Sequence, residues 1–210
     1  MMRIKTLEVA GIGPAIHAMR NPMDSWDRSD TRHGQIGPKD QELSERLAAA
    51  GAEHAKHLRM CMVWAEIWAP RYWWIEFDTY RVGVEKLSCS TMHKLTSRPL
   101  TFEDFEPTED GCYSQHLTET VKYLNALIEG YNSAKDADEK KKLWRYLIQA
   151  LPQSLIQRRT VMISYAALRN MYRQRNGHRL KEWEAFRDWC KTLPESWMIT
   201  GVIQDATGTD

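Results

Sequence analysis

Apolar and polar residues follow two different periods along this chain, and the switches between them mark its elements. Residues 3–10 alternate as a first strand. Gly11, Gly13 and Pro14 break it, and the segment from Ala15 to Arg20 starts a short helix. Residues 21–40 form a polar loop rich in Asp, Ser, Gly and Pro. A loop of that length in a compact domain is either functional or disordered. A helix then begins with Asp40 as its cap and Leu43 and Leu47 on its apolar stripe.

Residues 58–68 alternate again and are rich in strand formers, so they predict a strand ended by Pro70. The segment from Arg71 to Val82 reads as a helix with Tyr72, Ile75 and Phe77 inward, and Gly83 to Pro99 is irregular. Residues 100–113 form an acidic loop. Two amphipathic helices follow, at 114–133 and 137–150. After Pro152 the residues Ile156, Arg158, Thr160, Met162 and Ser164 share one face if the segment is a strand, with a helix as the alternative. Residues 165–175 and 180–192 read as helices, and 202–210 as a frayed tail. Strands and helices mix without regular β-α-β alternation, which predicts an α+β fold in a single domain spanning residues 1–210.

Charge narrows the function. Basic residues number 29 and acidic ones 28, a net charge of +1. A duplex nucleic-acid binder would carry a clear basic excess, so any anion site is local and small. No apolar run reaches the roughly 20 residues that span a bilayer, so no membrane partner is expected. The four cysteines, Cys61, Cys89, Cys112 and Cys190, show no C-x-x-C spacing, and the simplest setting is a reducing cytoplasm. Nine Trp and eight Tyr fit a core and a subunit interface.

The densest candidate chemistry lies between Leu151 and Glu184. Arg158, Arg159, Arg169, Arg173 and Arg175 crowd around Asn170. The plain reading of such a cluster is a solvated face. The functional one is a guanidinium fork holding a phosphate or a planar base edge. Cys89 can be an incidental thiol or a nucleophile. His54 and His57 lack the converging partners a zinc site needs, so no metal is expected. Trp64 and Trp68, with Trp73 and Trp74, read as core or interface.

The same stretch resembles, without a gap, the substrate-binding segment of the flavin-dependent thymidylate synthases. Leu151-Pro152 match the family's Leu-Pro. Arg158 falls on an Arg that helps bind the deoxynucleotide, Asn170 on the second Asn of the N-x-R-S-L-x-N motif, and Arg175 on the later Arg that contacts the pyrimidine. Trp183-Glu184 match the following helix start. Upstream, AEIWAPRYWWIEFDTYR resembles the strand and helix entering the family's R-H-R-x7-S signature. Only its last Arg is kept, as Arg81. Thr79 and Tyr80 replace the first Arg and the His, and Glu76 stands at a Gln. The signature Ser falls on Cys89, or on Ser88 with a one-residue deletion. Ser164 and Ala166 stand where the family has a flavin-facing Asn and Arg.

The resemblance implies an α+β fold with a central mixed sheet and flanking helices, and a homotetramer whose sites are assembled from several subunits. It implies a pyrimidine deoxynucleotide such as dUMP at Arg158, Arg175, Asn170, Arg81 and Glu76, with Ser88 or Cys89 catalytic. It places FAD near Tyr80, Ser164 and His57, and adds NADPH and a folate donor if the family's methylation of C5 is retained. A nucleotide-binding module without turnover is the alternative.

Overall fold

A computed structural model describes residues 2–108 and 110–201, so the tail at 202–210 lies outside the described residues. In chain order the elements are β1 (Arg3–Ala10), α1 (Ile12–Ala18), α2 (Pro38–Ala49), β2 (Met62–Pro70), α3 (Arg71–Phe77), β3 (Val84–Ser88), α4 (Thr91–Lys94), α5 (Gln115–Ser133), α6 (Ala137–Ala150), β4 (Ile156–Ser164), α7 (Tyr165–Gln174), α8 (Glu182–Lys191) and α9 (Trp197–Thr200). Single 3-10 turns cover Asn21–Met23, Trp26–Arg28, Ala55–Arg59 and Phe102–Asp104. No helix among the described residues is long and apolar enough to cross a membrane.

The class is α+β. The four strands form one sheet in the order β1-β2-β4-β3. Its pairing is antiparallel rather than mixed. The Cys89 N–H donates to the Arg158 carbonyl and the Ser164 N–H to the Gly83 carbonyl, so β3 and β4 run in opposite directions. The Arg71 N–H meets the Leu155 carbonyl and the Tyr165 N–H the Cys61 carbonyl, which sets β2 against β4 in the same way. Residues 156–164 are therefore a strand, and the helical alternative falls. On β2 the alternation is complete: Val63, Ala65, Ile67 and Ala69 have no exposed surface, while Met62, Trp64, Glu66 and Trp68 are half-buried.

Contacts group the chain into two compact units. One holds Arg3, Ile67–Thr79 and Leu87–Arg159; the other holds Ile4–Glu66, Tyr80–Lys86 and the chain from Thr160 onward. The first unit is built on the α5–α6 hairpin. Leu117, Val121, Leu124 and Ile128, spaced at helical period on α5, join Leu147, Leu151, Leu155 and Phe105 in one apolar cluster. Ser114 caps α5 by accepting the Leu117 N–H at 3.1 Å, and Asp136 caps α6 by accepting the Glu139 N–H at 2.8 Å. On α3, Trp73, Trp74 and Phe77 are buried and pack ring on ring. Ile75, expected inward, lies 61% exposed, because that buried aromatic face occupies the other side of the short helix.

In the second unit α7 packs on α9, α8 and the 3-10 turn at Ala55–Arg59. Leu168, Met171, Trp183, Phe186, Cys190 and Ile199 are buried there. The long polar segment before α2 is held by one carboxylate. Asp40 is fully buried. One of its oxygens accepts from Arg20 Nε at 2.6 Å, and the other accepts from the Ser29 and Thr31 hydroxyls, each at 2.6 Å. Asp40 is thus not the cap. Pro38 fixes the first helical φ, Gly37 precedes it, and Asp30 accepts the Lys39 and Asp40 N–H groups at 2.9 and 3.1 Å. The stripe of α2 is displaced accordingly, with Asp40 and Ser44 buried and Leu43 and Leu47 half-exposed.

Replacing Asp40 with Ala leaves the Arg20 guanidinium, 5% exposed, without its partner. Urea denaturation is expected to show a loss of about 3–5 kcal/mol. A loss at the level of a surface ion pair, below about 1 kcal/mol, would contradict the clamp.

Candidate functional site

β4 ends where α7 begins, and this corner sets the phase of every functional candidate on α7. Ser164, the last strand residue, accepts the Ala167 N–H on its hydroxyl at 3.2 Å and so caps α7. Its own N–H goes to the Gly83 carbonyl at 2.8 Å. Gly83 has φ +72, and a Cβ there would stand 2.4 Å from the Ser164 hydroxyl. Only glycine allows both the conformation and the approach.

From that corner the predicted residues fall into three groups, each within one unit. The first surrounds Arg175, which ends α7. Its guanidinium lies 4.6 Å from the centre of the Trp183 ring and 5.3 Å from that of Tyr80, donates from Nε to the Tyr80 hydroxyl at 2.8 Å, and stands 3.2 Å from His178 Nε2. The Tyr80 hydroxyl in turn donates to Gln174 at 3.0 Å. Arg81, the next residue along, is exposed.

The second group lines a groove of about 590 Å³ beside the α7 N-terminus. Ser164, Ala166 and Asn170 contribute to it, with Gly83, Arg59 and Arg173. Asn170 is exposed and Ser164 buried. His57 is not presented to this groove. It is 3% exposed and shares a hydrogen bond of 2.8 Å with the Ser44 hydroxyl. Burial, followed by the nearby Arg169 cation, pushes its pKa down to about 4. A larger groove of about 990 Å³ lies along α2, where Leu43 and Leu47 face Met19, Met60 and His54.

The third group belongs to the other unit. Arg158 is exposed on β4, with its guanidinium 5.1 Å from the centre of the Trp68 ring, and Arg3 lies over the same indole at 3.9 Å. Trp68, expected in a core or interface, is therefore a half-buried platform for two cations. Its neighbour in the sequence, Arg159, is spent elsewhere. It pairs with Asp78 at 2.8 Å, donates to Gln157 at 3.0 Å and covers Trp74 at 4.3 Å. Ser88 lines a groove of about 410 Å³ with Arg159, Asp78 and Thr91. Ser88 and Cys89 are both exposed, while Glu76 is half-buried on α3.

Among the described residues no group of three or more His, Cys, Asp or Glu converges on a point where a metal could sit. The positions expected to face a flavin already hold contacts within the chain. The Tyr80 hydroxyl is taken by Arg175 and Gln174, the Ser164 hydroxyl caps a helix, and His57 is buried against Ser44. Sequence reasoning named Trp68 as core or interface and did not single it out as a platform for cations, and it passed over Gln174 and His178. The signal for the first was the two-residue period on β2, which separates Trp68 from the buried positions. The other two carried none.

The comparisons fit this geometry. No protein-family model matches the chain, and no curated protein sequence matches it. Solved structures do. Thymidylate synthase X from Helicobacter pylori, crystallised with FAD and dUMP, superposes with a TM-score of 0.72 at 20% identity over 94% of this chain and 96% of that one. A second structure of the same enzyme, complexed with FAD and dUMP, gives 0.72 at 20% identity, over 94% and 98%. A UMP/dUMP methylase, PolB, from Streptomyces cacaoi, bound with 5-Br dUMP, gives 0.61 at 14% identity, over 94% of each chain. The chain has the fold of the flavin-dependent thymidylate synthases.

The His57 environment makes a prediction about pH. The unfolded chain takes up a proton near pH 6.5, while folded His57 resists it until about pH 4. Stability is therefore full above 6.5 and falls as pH drops through that window, by on the order of 3 kcal/mol. His57→Gln, which keeps a hydrogen-bonding group beside Ser44, is expected to flatten the melting-temperature profile there. An unchanged slope would contradict the assignment.

Proposed function

We propose that this chain binds a pyrimidine deoxynucleotide of the dUMP type. The observation that carries the reading is Arg175, braced by Tyr80 and Trp183 at the end of α7, on a fold whose solved neighbours were crystallised with dUMP or a brominated analogue. A guanidinium fixed on two aromatic rings loses little freedom when it meets a planar base edge or a phosphate. Arg175 and Arg158 take the base and phosphate, Asn170 orients the ligand, and Arg81 adds positive charge. Glu76 lies on the substrate side, and Ser88 or Cys89 stands by C5 and C6 of the pyrimidine. The resemblance builds sites from several subunits, so these roles are assigned to the nucleotide and not to a single copy.

The chemistry is a separate matter. Methyl transfer to C5 would draw on FAD, NADPH and a folate donor. The Tyr80 and Ser164 hydroxyls are engaged within the chain, while His57 is buried beside Ser44 with its Nδ1 unpartnered among the described residues, and no step is derived through the flavin. Nucleotide binding without flavin-dependent turnover is the reading we favour, in a cytoplasmic homo-oligomer, tetrameric by the resemblance. Its four cysteines are free thiols, which suits a reducing compartment.

Calorimetry with dUMP is expected to show binding, and Arg175→Ala and Arg158→Ala are each expected to weaken it roughly tenfold or more, the scale of a lost charge-assisted hydrogen bond. Ser88→Ala with Cys89→Ala is expected to leave affinity unchanged. The purified protein is expected to be colourless and to take up no flavin. Absence of binding by any deoxynucleotide at millimolar concentration would remove the proposal, a bound yellow chromophore would overturn its flavin-free form, and a stable monomer in light scattering would overturn the oligomer.

A further inference from the structure

The guanidinium that the nucleotide reading does not use is the most buried one on α7. Arg169 is 9% exposed. Its Nη1 donates to the Met198 carbonyl at 3.0 Å, but its Nε is buried with no hydrogen-bond partner. Among the described residues no carboxylate lies within ion-pair distance of it. Gly201 packs against its face, with φ +65, and a Cβ there would come within 2.9 Å of Nη1. An unpaired buried cation is costly in a folded chain, and an anion bound beside it would offset that cost.

Arg169 also floors a groove that is built for an anion. This groove, of about 590 Å³, lies wholly within the second unit, and its volume falls in the range of small-molecule sites. Four guanidiniums line it: Arg46 from α2, Arg169 and Arg173 four residues apart on one face of α7, and Arg187 from α8. Arg187 is already positioned, stacked 4.4 Å over the Tyr172 ring with its Nε donating to the Tyr172 carbonyl at 3.0 Å, which leaves its terminal nitrogens for a ligand. The one carboxylate on the lining, Glu45, accepts a hydrogen bond from Gln41 at 3.1 Å.

We propose that this groove binds a small phosphorylated anion, a phosphate or diphosphate group held by Arg169 and Arg173 with Arg46 and Arg187 at its edges. Guanidinium forks match phosphate oxygens in pairs, and several on one wall favour a multiply charged group over a single carboxylate. The site uses none of Arg158, Arg175 or Asn170, and Arg169 and Arg173 also line the neighbouring groove that Asn170 enters.

The test is calorimetry on the full chain with inorganic pyrophosphate and with a nucleoside diphosphate, against sodium chloride of equal ionic strength. Binding of either ligand is expected, weakened roughly tenfold or more by Arg173→Ala and by Arg46→Ala, both exposed positions whose loss should not unfold the chain. Arg175→Ala is expected to leave it unchanged. Tighter binding of the nucleoside diphosphate would support the site and assign the rest of the groove to the nucleoside. No binding of either anion would overturn the proposal. So would binding lost in Arg175→Ala but kept in Arg173→Ala, which would assign the anion to the dUMP site, or binding of an acidic peptide alone. The dUMP titration on the same variants separates failure of this site from failure of the nucleotide reading.

Discussion

The join between β4 and α7 is the constraint on which the candidate chemistry depends. Ser164 must donate its N–H to the Gly83 carbonyl and accept the Ala167 N–H on its hydroxyl, and both fit only because position 83 carries no side chain. Once the first turn of α7 is fixed there, helical spacing does the rest. Arg169 and Arg173 fall on one face, Asn170 beside the groove at the helix start, and Arg175 at the far end. In solved structures of this fold the same scaffold carries FAD and dUMP. Here the hydroxyl at this corner caps a helix.

Arginine is the residue through which this chain distributes its options. Arg159 is neutralised by Asp78, and Arg20 by a fully buried Asp40. Arg175 and Arg158 lie against aromatic rings, which help to position their guanidiniums. Among the described residues Arg169 donates only to a backbone carbonyl, that of Met198. Guanidiniums under different restraints are thus spread through a chain whose net charge is only +1.

The strongly periodic elements were legible in the sequence. The long helices α5 and α6 carry their apolar stripe over many turns, and burial alternates along β2. The elements missed are those with little local signal. β3 is a five-residue strand with mostly exposed side chains, and α4 and α9 are single turns. The Asp40 error has a different cause. An acidic residue near a helix start satisfies the pattern for a cap, but Pro38 begins the helix earlier and Asp30, ten residues away, supplies the acceptor.

The sequence by itself determined the class, the order of the main elements, and that an arginine-rich stretch would carry any anion chemistry, because periodicity and composition are local properties. It also carried the ungapped likeness that anticipated the fold. Only the tertiary structure decided which arginines are spent and which are kept, because their partners are remote in the chain. Asp78 lies 81 residues from Arg159, and Tyr80 lies 95 from Arg175. Whether a guanidinium is neutralised, braced on a ring or buried without a carboxylate depends on which side chains long-range pairing brings beside it, and no spacing along the chain encodes that.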